Sequence, residues 1–434
     1  MTLGLPAIIG FLPLLLYIIL SFKGKDITMV VLICVVLGAI LTGQTPVSLG
    51  VAMSKALGSF MGLIGFIILM GAGVGEVLSQ TGVAQNIVRL VITKMGVKSK
   101  NQAMIATMIS SVLLVGLLGS MAGSNAILAP IIIPIVASFG ITPNTLGVLL
   151  HGAGASGLYL GPFVPPVVTT MELAGISYGE YLLHAGIPVS VIVWIITYFV
   201  AKRTQKLTEG KYSYSEEDKV NSINFKPDRK VTKATSVFLL SMLALIIYGM
   251  IAKAGASYVI VVMALVAFIT GKVAGLSGED TLKALIKGSS RMYWLFFMFV
   301  LYDPFLNFVT ESGAFDALAN YLKPLINYGG PKLFMVVSTL VGVFGVSGAA
   351  VAQEKVIHDM FLPLVNQLNF PMHLWAIVLL VGSQITFFAY PTGDMVGQMG
   401  LARSTDLKSM IKNGLLITLF TCLYVVVRAI LYKF

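Results

Sequence analysis

Charged side chains are scarce in this chain. Only 11% of its 434 residues are Asp, Glu, Lys or Arg, whereas 57% are hydrophobic. A soluble protein of this length needs considerably more charge to cover its surface. The composition therefore excludes an ordinary soluble domain and predicts a chain that lies largely in lipid.

Cysteine and histidine are also rare, and this excludes several kinds of site. The two cysteines, Cys34 and Cys422, both lie in apolar stretches, so neither a disulfide framework nor a thiolate metal site is expected. No residues have the spacing of a hydrolase triad or a zinc site, and there is no phosphate-binding P-loop. We therefore expect no enzyme activity, no cofactor and no drive by ATP.

Apolar stretches long enough to cross a hydrocarbon core of about 30 Å as helices recur from Leu5 to Leu431. Basic residues cluster in short loops between these stretches. The net charge of +11 therefore follows the positive-inside bias and does not indicate a nucleic-acid partner. The loop charges predict a multi-pass protein of the bacterial cell (inner) membrane with its N-terminus outside.

Sequence landmarks recur at a nearly constant spacing of 228–231 residues. Matched pairs include Thr42 with Thr270, Gly116 with Gly345, Pro134 with Pro363, Pro162 with Pro391, and Gly186 with Gly414. Each half contains five predicted spans, an odd number, so the second half must start from the opposite face. The prediction is an all-α polytopic membrane protein of two inverted repeats, each with five transmembrane helices and one re-entrant helical hairpin.

The predicted boundaries follow from the same pairing. Residues 1–201 form the first repeat, with its hairpin at about 102–139. Residues 202–234 are polar and charged and are expected to form a cytoplasmic linker. Residues 235–434 form the second repeat, with its hairpin at about 331–366.

Glycine and proline are expected to interrupt helices at four places. The two hairpins turn near residues 119–125 and 345–350. The spans that follow break at 152–157 and 161–162 in the first half, and at 382–384 and 390–394 in the second. Non-helical backbone at membrane depth lines a cavity or is buried in protein, and paired breaks indicate a transporter's binding site. The alternative is that these glycines only permit close helix packing.

Each break frees carbonyls that can coordinate a cation and creates helix N-termini that favour an anion. Asn and Ser suit either ligand, because both can donate and accept hydrogen bonds. The substrate-binding candidates are Ser124, Asn125, Gly161, Pro162, Gln353, Pro391 and Thr392. The candidates for binding a cation or carrying a proton are Ser120, Asn125, Ser156, Ser347, Glu354, Gln384, Asp394 and Asp303.

Ionisable residues retained within spans are functional candidates, because burying charge in a membrane is costly. Glu354 could bind a cation or proton, or pair with Lys355. Asp394 could join a cation shell or cap the next helix. Asp303 could carry a proton or be hydrogen-bonded at a proline kink. We expect His151 and His358 to be hydrogen-bonded core residues.

The architecture resembles the ion transporter superfamily, which includes the divalent-anion:sodium symporters and related carboxylate, gluconate and sodium/proton carriers. Ser124-Asn125 is similar to the symporters' Ser–Asn–Thr signature, with Ala126 in the threonine position. In the second hairpin, Gln353-Glu354 replace Ser–Asn. The resemblance implies that hairpin tips and broken spans bind the substrate, with a cation site on each side. It also implies a homodimer.

These features predict a secondary active transporter for a small organic anion, a carboxylate, coupled to sodium or protons by alternating access. The alternative is a sodium/proton or substrate/proton antiporter with no requirement for an organic anion. We also expect four amphipathic stretches to lie along the lipid interface and brace a fixed scaffold. They are Val47–Leu57, Ala84–Thr93, Gly278–Lys287 and Ala314–Leu325.

Overall fold

The described residues of the computed structural model are 6–23, 25–220, 227–345 and 350–434, and their regular structure is entirely helical. The all-α prediction is therefore confirmed. Within these described ranges, eight helical segments are long and apolar enough to cross a membrane: Phe60–Gln80, Lys100–Leu118, Met121–Ser138, Tyr178–Thr208, Arg229–Ile251, Tyr293–Glu311, Met372–Ala389 and Leu407–Leu431. Shorter apolar helices lie at Ala7–Ser21, Ile27–Thr42, Tyr258–Ala274 and Tyr328–Phe344.

The helices before residue 221 are α1 (Leu12–Phe22), α2 (Ile27–Thr42), α3 (Pro46–Ala56), α4 (Phe60–Gln80), α5 (Val83–Met95), α6 (Lys100–Leu118), α7 (Met121–Ser138), α8 (Pro143–Leu160), α9 (Pro165–Ala174), α10 (Tyr178–Tyr181), α11 (Ile187–Thr208) and α12 (Glu216–Val220). Those after it are α13 (Arg229–Ile251), α14 (Tyr258–Ala274), α15 (Gly278–Ser290), α16 (Tyr293–Glu311), α17 (Ala314–Gly345), α18 (Ala350–Gln367), α19 (Met372–Gln384), α20 (Thr386–Ala389), α21 (Gly393–Ala402) and α22 (Leu407–Leu431). A 3-10 turn at Ala7–Phe11 precedes α1, and a π-turn at Leu182–Gly186 joins α10 to α11. Helix α17 has two segments, because Gly330 is non-helical (φ 61°, ψ −163°).

Helices from the two halves of the chain pack together. Helix α4 contacts α14, α15 and α16, while α16 also contacts α2 and α3. Helix α8 packs between α6 and α11, α19 packs on α17, and α11 contacts α22. The stretches predicted to be amphipathic lie on α3, α5, α15 and the first segment of α17, so their helical structure is confirmed. Their orientation in the membrane stays a prediction.

The first hairpin turns within the predicted segment. Helix α6 ends at Leu118, and Gly119 has the left-handed conformation (φ 71°) that glycine adopts at little cost. Ser120 then caps α7, because its hydroxyl accepts a hydrogen bond of 3.2 Å from the Gly123 backbone N–H. The two helices pack against each other.

The predicted break at residues 152–157 is wrong. Helix α8 runs unbroken through these residues, and its glycines make room for neighbouring helices. A Cβ atom on Gly152 would lie 1.9 Å from Thr197 Oγ1, and one on Gly157 would lie 2.7 Å from Val115 Cβ. Close helix packing, the alternative interpretation, therefore explains this cluster.

The predicted break at residues 382–384 is also wrong. Helix α19 continues through Gln384, and only Ile385 separates it from α20. The backbone of Ile385 stays close to helical (φ −76°, ψ −14°), so the chain does not change direction there. The breaks at Gly161–Val164 and Tyr390–Thr392 are the ones that interrupt helices.

The segment predicted as a linker is partly helical, because α11 continues to Thr208 and α13 begins at Arg229. The final turn of α11 is held by buried polar contacts to the start of α8. Gln205 Oε1 accepts from the Thr142 backbone N–H at 3.0 Å, and the Thr208 and Thr142 hydroxyls are 2.8 Å apart. The polar side chains that indicated a loop in the sequence are therefore hydrogen-bonded to α8 at the end of a helix.

Residues 214 and 218 of this segment contact the end of α21. The Tyr214 hydroxyl donates to the Ala402 carbonyl at 2.8 Å, and Arg403 Nη1 forms an ion pair of 2.9 Å with Asp218. Hydrogen bonding from Ser215, together with the Arg403 guanidinium, lowers the pKa of Asp218 below its ordinary value. Asp218 is therefore charged at neutral pH, and its stabilising contribution is lost only as the pH falls through the usual carboxyl range and below.

We predict that Gly152→Ala destabilises the protein by about 1–3 kcal/mol, because the added methyl overpacks the α8–α11 contact. The matched control is Gly50→Ala on α3, where nothing lies within 4 Å of the added Cβ. Denaturant unfolding in detergent should show a lower midpoint for Gly152→Ala and an unchanged or higher midpoint for Gly50→Ala. Equal midpoints for the two variants would contradict the packing role.

We predict that Asp218→Asn increases tryptic cleavage between residues 202 and 233 by about two- to fivefold, as expected for loss of a surface ion pair. Because the pKa of Asp218 is lowered, the ratio of variant to wild-type cleavage should stay constant from about pH 5.5 to 8. Glu217→Gln, which removes the same charge from an exposed neighbour, is the control. A similar increase in that variant would show that net charge, and not the ion pair, protects the segment.

Candidate functional site

The first helix break lies against the first hairpin. Helix α8 ends at Leu160, and the backbone of Gly161 is extended (φ −68°, ψ 128°). A Cβ atom on Gly161 would lie 2.3 Å from the Gly116 carbonyl oxygen, and one on Gly119 would lie 3.5 Å from Pro165 Cδ. The hairpin turn and this break therefore lie together, as the sequence predicts.

The second break is similar in backbone form. Tyr390 (φ −131°, ψ 152°) and Thr392 (φ −91°, ψ 172°) are extended between α20 and α21. The Tyr390 hydroxyl donates to the Phe344 carbonyl at 2.9 Å, which joins this break to the last turn of α17. The second hairpin turn, with the candidate Ser347, lies outside the described residues.

Asn125 is completely buried and connects four helices. Its Oδ1 accepts from the Ser111 hydroxyl of α6 at 2.7 Å. Its Nδ2 donates to the Leu150 carbonyl of α8 at 3.0 Å and to Gln398 Oε1 of α21 at 2.8 Å. The contact between Asn125 and Gln398 is the first junction.

Glu354, on α18, is also completely buried. Its Oε1 contacts the hydroxyl of Thr170 on α9. That hydroxyl also lies 2.9 Å from the Pro166 carbonyl oxygen. Glu354 Oε2 is buried and has no hydrogen-bond partner within the described ranges. The contact between Glu354 and Thr170 is the second junction.

The two junctions cross between the halves of the sequence. Asn125 of the first hairpin contacts the helix beyond the second break, and Glu354 of the second hairpin helix contacts the helix beyond the first break. Asn125 and Glu354 are 229 positions apart, and Thr170 and Gln398 are 228 apart. Both spacings lie within the range of the sequence repeat.

The sequence matches, over residues 38–433, the family model described as "DcuC: C4-dicarboxylate anaerobic carrier". This chain belongs to the DcuC family. No curated protein matches it. Among solved structures, the YdaH transporter of Alcanivorax borkumensis is similar, with 15% sequence identity and a TM-score of 0.61 over 92% of this chain and 97% of that one. At this identity the likeness concerns the fold.

A DcuC-family chain with these apolar helices is a multi-pass membrane transporter and not an enzyme.

The remaining candidate site residues differ in their surroundings. Ser124 Oγ donates to the Leu114 carbonyl at 3.2 Å, and Ser156 Oγ contacts the carbonyls of Gly152 and Ser190 at 3.3 and 3.4 Å. These serines are buried and bonded to backbone in this state.

Gln353 Nε2 donates to the carbonyls of Gly342 and Gly382 and to the Thr386 hydroxyl, at 2.7, 3.0 and 2.7 Å. Gln353 therefore fixes α18 to α17, α19 and α20. Gln384 Nε2 donates to Ser383 Oγ at 3.0 Å.

The two breaks of this DcuC-family carrier differ in exposure. Gly161 is buried and Pro162 is half-buried, whereas Pro391 and Asp394 are exposed. The Thr392 hydroxyl is buried and lacks a hydrogen-bond partner in the part of the chain that is described.

Asp303 lies on α16, where Asn307 Nδ2 donates to its Oδ2 at 3.1 Å. Lys355 forms an ion pair with Asp359, so the structural pairing with Glu354 that the sequence left open is wrong. The pair follows the i, i+4 spacing of a helix, a signal that was present in the sequence.

The two core histidines differ. His358 Nδ1 accepts from Trp375 Nε1 at 3.2 Å, which confirms its hydrogen-bonded role. The same expectation for His151 is wrong, because neither ring nitrogen has a partner in the described regions, and the ring packs 4.7 Å from that of Phe388. The apolar ring of Phe388 offers no acceptor.

Sequence reasoning also missed Thr170 and Gln398. An alignment of the two halves of the sequence would have paired these two residues.

We predict that Asn125→Ala and Gln398→Ala are energetically coupled by about 0.5–3 kcal/mol, because each removes the partner of the other. Denaturant unfolding in detergent of the two single variants and the double variant measures this coupling. Asn125→Ala combined with Ser241→Ala, whose hydroxyl bonds within α13, should be additive. Additivity in the first pair would mean that the junction contributes nothing to stability.

Proposed function

We propose that this chain carries four-carbon dicarboxylates across the bacterial cell (inner) membrane by alternating access, coupled to sodium or protons. The crossed junctions are the observation that carries this proposal. They join each hairpin to the helix that follows the break in the other half of the chain. Movement of the hairpins relative to these helices must therefore rearrange both junctions. The family's description supplies the substrate class.

The two breaks offer a chemical match to a dicarboxylate. Helices α9 and α21 both begin at a break, and neither start has a side-chain cap bond. By contrast, side-chain caps occupy the starts of α6, α7 and α8. The free backbone N–H groups and the dipole at the start of α21 favour a carboxylate. At the start of α9, Pro165 and Pro166 have no N–H, so the helix dipole and the Val167 N–H are what that start offers to the second carboxylate of the substrate.

The moving unit in this proposal is the set of hairpins and broken helices: α6–α9, the segment of α17 after Gly330, and α18–α21. Ser124, Asn125, Gly161, Pro162, Gln353, Pro391 and Thr392 would form the substrate site. The scaffold would be the remaining spans, braced by α3, α5, α15 and the first segment of α17. The same proposal includes inverted repeats, re-entrant hairpins, an outside N-terminus, a homodimer and membership of the ion transporter superfamily. The repeat spacing of the junctions supports the inverted repeats.

The coupling ion has several candidate carriers. Glu354 has an unpartnered oxygen among the described residues, Asp394 lies at the start of α21, and Asp303 lies on the neighbouring α16. The buried acid at Glu354 also motivates the alternative, an exchanger that needs no organic anion. Sodium-driven proton flux in proteoliposomes without added dicarboxylate would favour that alternative.

We predict that a four-carbon dicarboxylate such as succinate raises the thermal stability of the purified protein in detergent. A ligand at one hundred times its Kd stabilises the folded state by about 2.7 kcal/mol. A four-carbon monocarboxylate should have little effect, because it fills only one helix start. Repeating the scan with and without sodium tests sodium coupling.

The combined variant Asn125→Ala/Thr392→Ala should lose this stabilisation. Ser241→Ala, on the scaffold helix α13, should retain it. If the combined variant still responds to the dicarboxylate as the wild type does, the assigned binding site is wrong. If the wild type responds to no dicarboxylate, the substrate class is wrong.

A further inference from the structure

The two junctions occupy equivalent places in the sequence repeat but differ in charge. At the first junction, both polar atoms of the Asn125 amide have partners, and the group is neutral. At the second, Glu354 presents a carboxyl group, of which one oxygen contacts Thr170 and the other has no partner in the described part of the chain. The first junction also leaves a buried atom, Gln398 Nε2, without a partner in the described ranges, but the Asn125 amide carries its own hydrogens, whereas an ionised Glu354 has no hydrogen to donate.

A proton supplies that hydrogen. A carboxylate only accepts hydrogen bonds, whereas a carboxylic acid donates one and accepts others, as a carboxamide does. Burying an ionised carboxylate without sufficient partners is costly, and the neutral acid avoids most of this cost. Protonated Glu354 thus has the same charge as the amide group of Asn125 and, like it, both donates and accepts, although the acid has one hydrogen to donate and the amide has two.

The Thr170 hydroxyl favours the same state. It carries a single hydrogen but lies beside two acceptors, the Pro166 carbonyl and Glu354 Oε1. If Glu354 is protonated, its O–H donates to Thr170 Oγ1, and the Thr170 hydrogen donates to the Pro166 carbonyl. If Glu354 is ionised, the Thr170 hydrogen must turn to the carboxylate and leave the carbonyl.

Among the described residues, few side chains near Glu354 offer ligands for a metal cation. Gln353, the preceding residue, directs its amide nitrogen to α17, α19 and α20, whereas Glu354 contacts α9. Among the described side chains, only the Thr170 hydroxyl is hydrogen-bonded to Glu354. A sodium ion needs several oxygen ligands, whereas a proton needs only the one carboxyl oxygen.

Few ionisable groups lie near Glu354. Tyr181 is close enough to interact electrostatically, and its hydroxyl donates to the Tyr159 carbonyl at 2.9 Å. On α18 itself, Lys355 pairs with Asp359, and His358 bonds to Trp375. The remaining charged or histidine side chains on helices packed against α18 are Glu172 on α9, Asp303 and Glu311 on α16, Asp316, Lys323 and Lys332 on α17, and His373 on α19.

These side chains do not contact Glu354. Asp303 is bonded by Asn307, Gln44 donates to Glu311, and the His373 ring packs on that of His184. Glu172, Asp316, Lys323 and Lys332 are exposed.

We propose that Glu354 is the proton carrier of this transporter and that Asn125 is its permanently neutral counterpart in the other half. This inference rests on the proposed function, which leaves the coupling ion open, and it selects the proton. In the step, an O–H bond forms between a proton from the aqueous side and a Glu354 carboxyl oxygen, and no other covalent bond changes. One junction thus responds to pH, and the other does not.

The test uses the full-length protein in proteoliposomes with the membrane potential held at zero. In the wild type, a pH gradient of one unit should displace the dicarboxylate distribution about tenfold per coupled proton, and its direction distinguishes symport from antiport. Glu354→Gln, which reproduces the protonated state, should abolish this displacement but retain dicarboxylate exchange at equal pH. Glu172→Gln, which neutralises an exposed acid on α9, should behave as the wild type.

Several results would overturn the assignment. One is a Glu354→Gln variant in which the pH gradient displaces the dicarboxylate distribution as much as in the wild type. Another is dicarboxylate accumulation by the wild type that depends on a sodium gradient and not on the pH gradient. Loss of both exchange and pH-driven uptake in Glu354→Gln, while Glu172→Gln keeps both, would place Glu354 in substrate binding or folding.

A second measurement needs no substrate and separates this inference from the proposed function. The Tm of the wild type and Glu354→Gln in detergent should agree below about pH 4, where Glu354 is protonated in the unfolded chain as well, because the neutral acid and the amide are then equivalent. The wild type should fall below Glu354→Gln as the pH rises, because only the wild type must then bury a charge or keep a proton. A Tm difference that is constant across pH would overturn the proton assignment even if no dicarboxylate is carried.

Discussion

Polar groups buried at membrane depth need partners inside the protein, and this constraint underlies the site. Water is absent there, so an unbonded carbonyl, amide or carboxyl group costs far more than at an aqueous surface. The chain places polar side chains against the helices that follow the breaks: Asn125 Nδ2 donates to Gln398 Oε1 on α21, and Glu354 contacts the Thr170 hydroxyl on α9. The contacts between the halves of the chain are therefore specific polar contacts as well as apolar packing.

Small residues make these polar contacts possible. Without room at Gly152, Gly154 and Gly157, helix α8 could not approach α11, α7 and α6 closely. Asn125 would then lie too far from the Leu150 carbonyl to bond to it. The glycines thus act on function indirectly, through the distance between helices, and not by breaking the helix that contains them.

The unequal chemistry of the two junctions has a physical consequence for transport. Two neutral junctions would make the unit insensitive to ions, whereas two acidic junctions would bury two charges. With one amide and one acid, the free energy of the arrangement in which both junctions are formed would depend on a single ion. A transporter needs such dependence if an ion gradient is to drive a substrate against its own gradient.

The sequence alone determined the membrane class, the helical composition, the first hairpin turn and the positions of the breaks at Gly161 and Pro391. These depend on local quantities: hydropathy, helix-breaking residues and capping groups. It also placed Asn125 and Glu354 among the candidates, because polar residues in apolar spans are conspicuous.

The tertiary structure decided which polar residues meet. Thr170 and Gln398 look like ordinary residues of short apolar helices, and only packing brings them to Glu354 and Asn125 across nearly two hundred residues or more of chain. Packing also decided that Gly152–Gly157 stay helical. A glycine in a span can either interrupt the helix or allow a neighbouring helix to approach closely, and here neighbouring helices occupy the space. Local sequence does not specify which of these occurs, since the answer depends on helices that are distant in the chain.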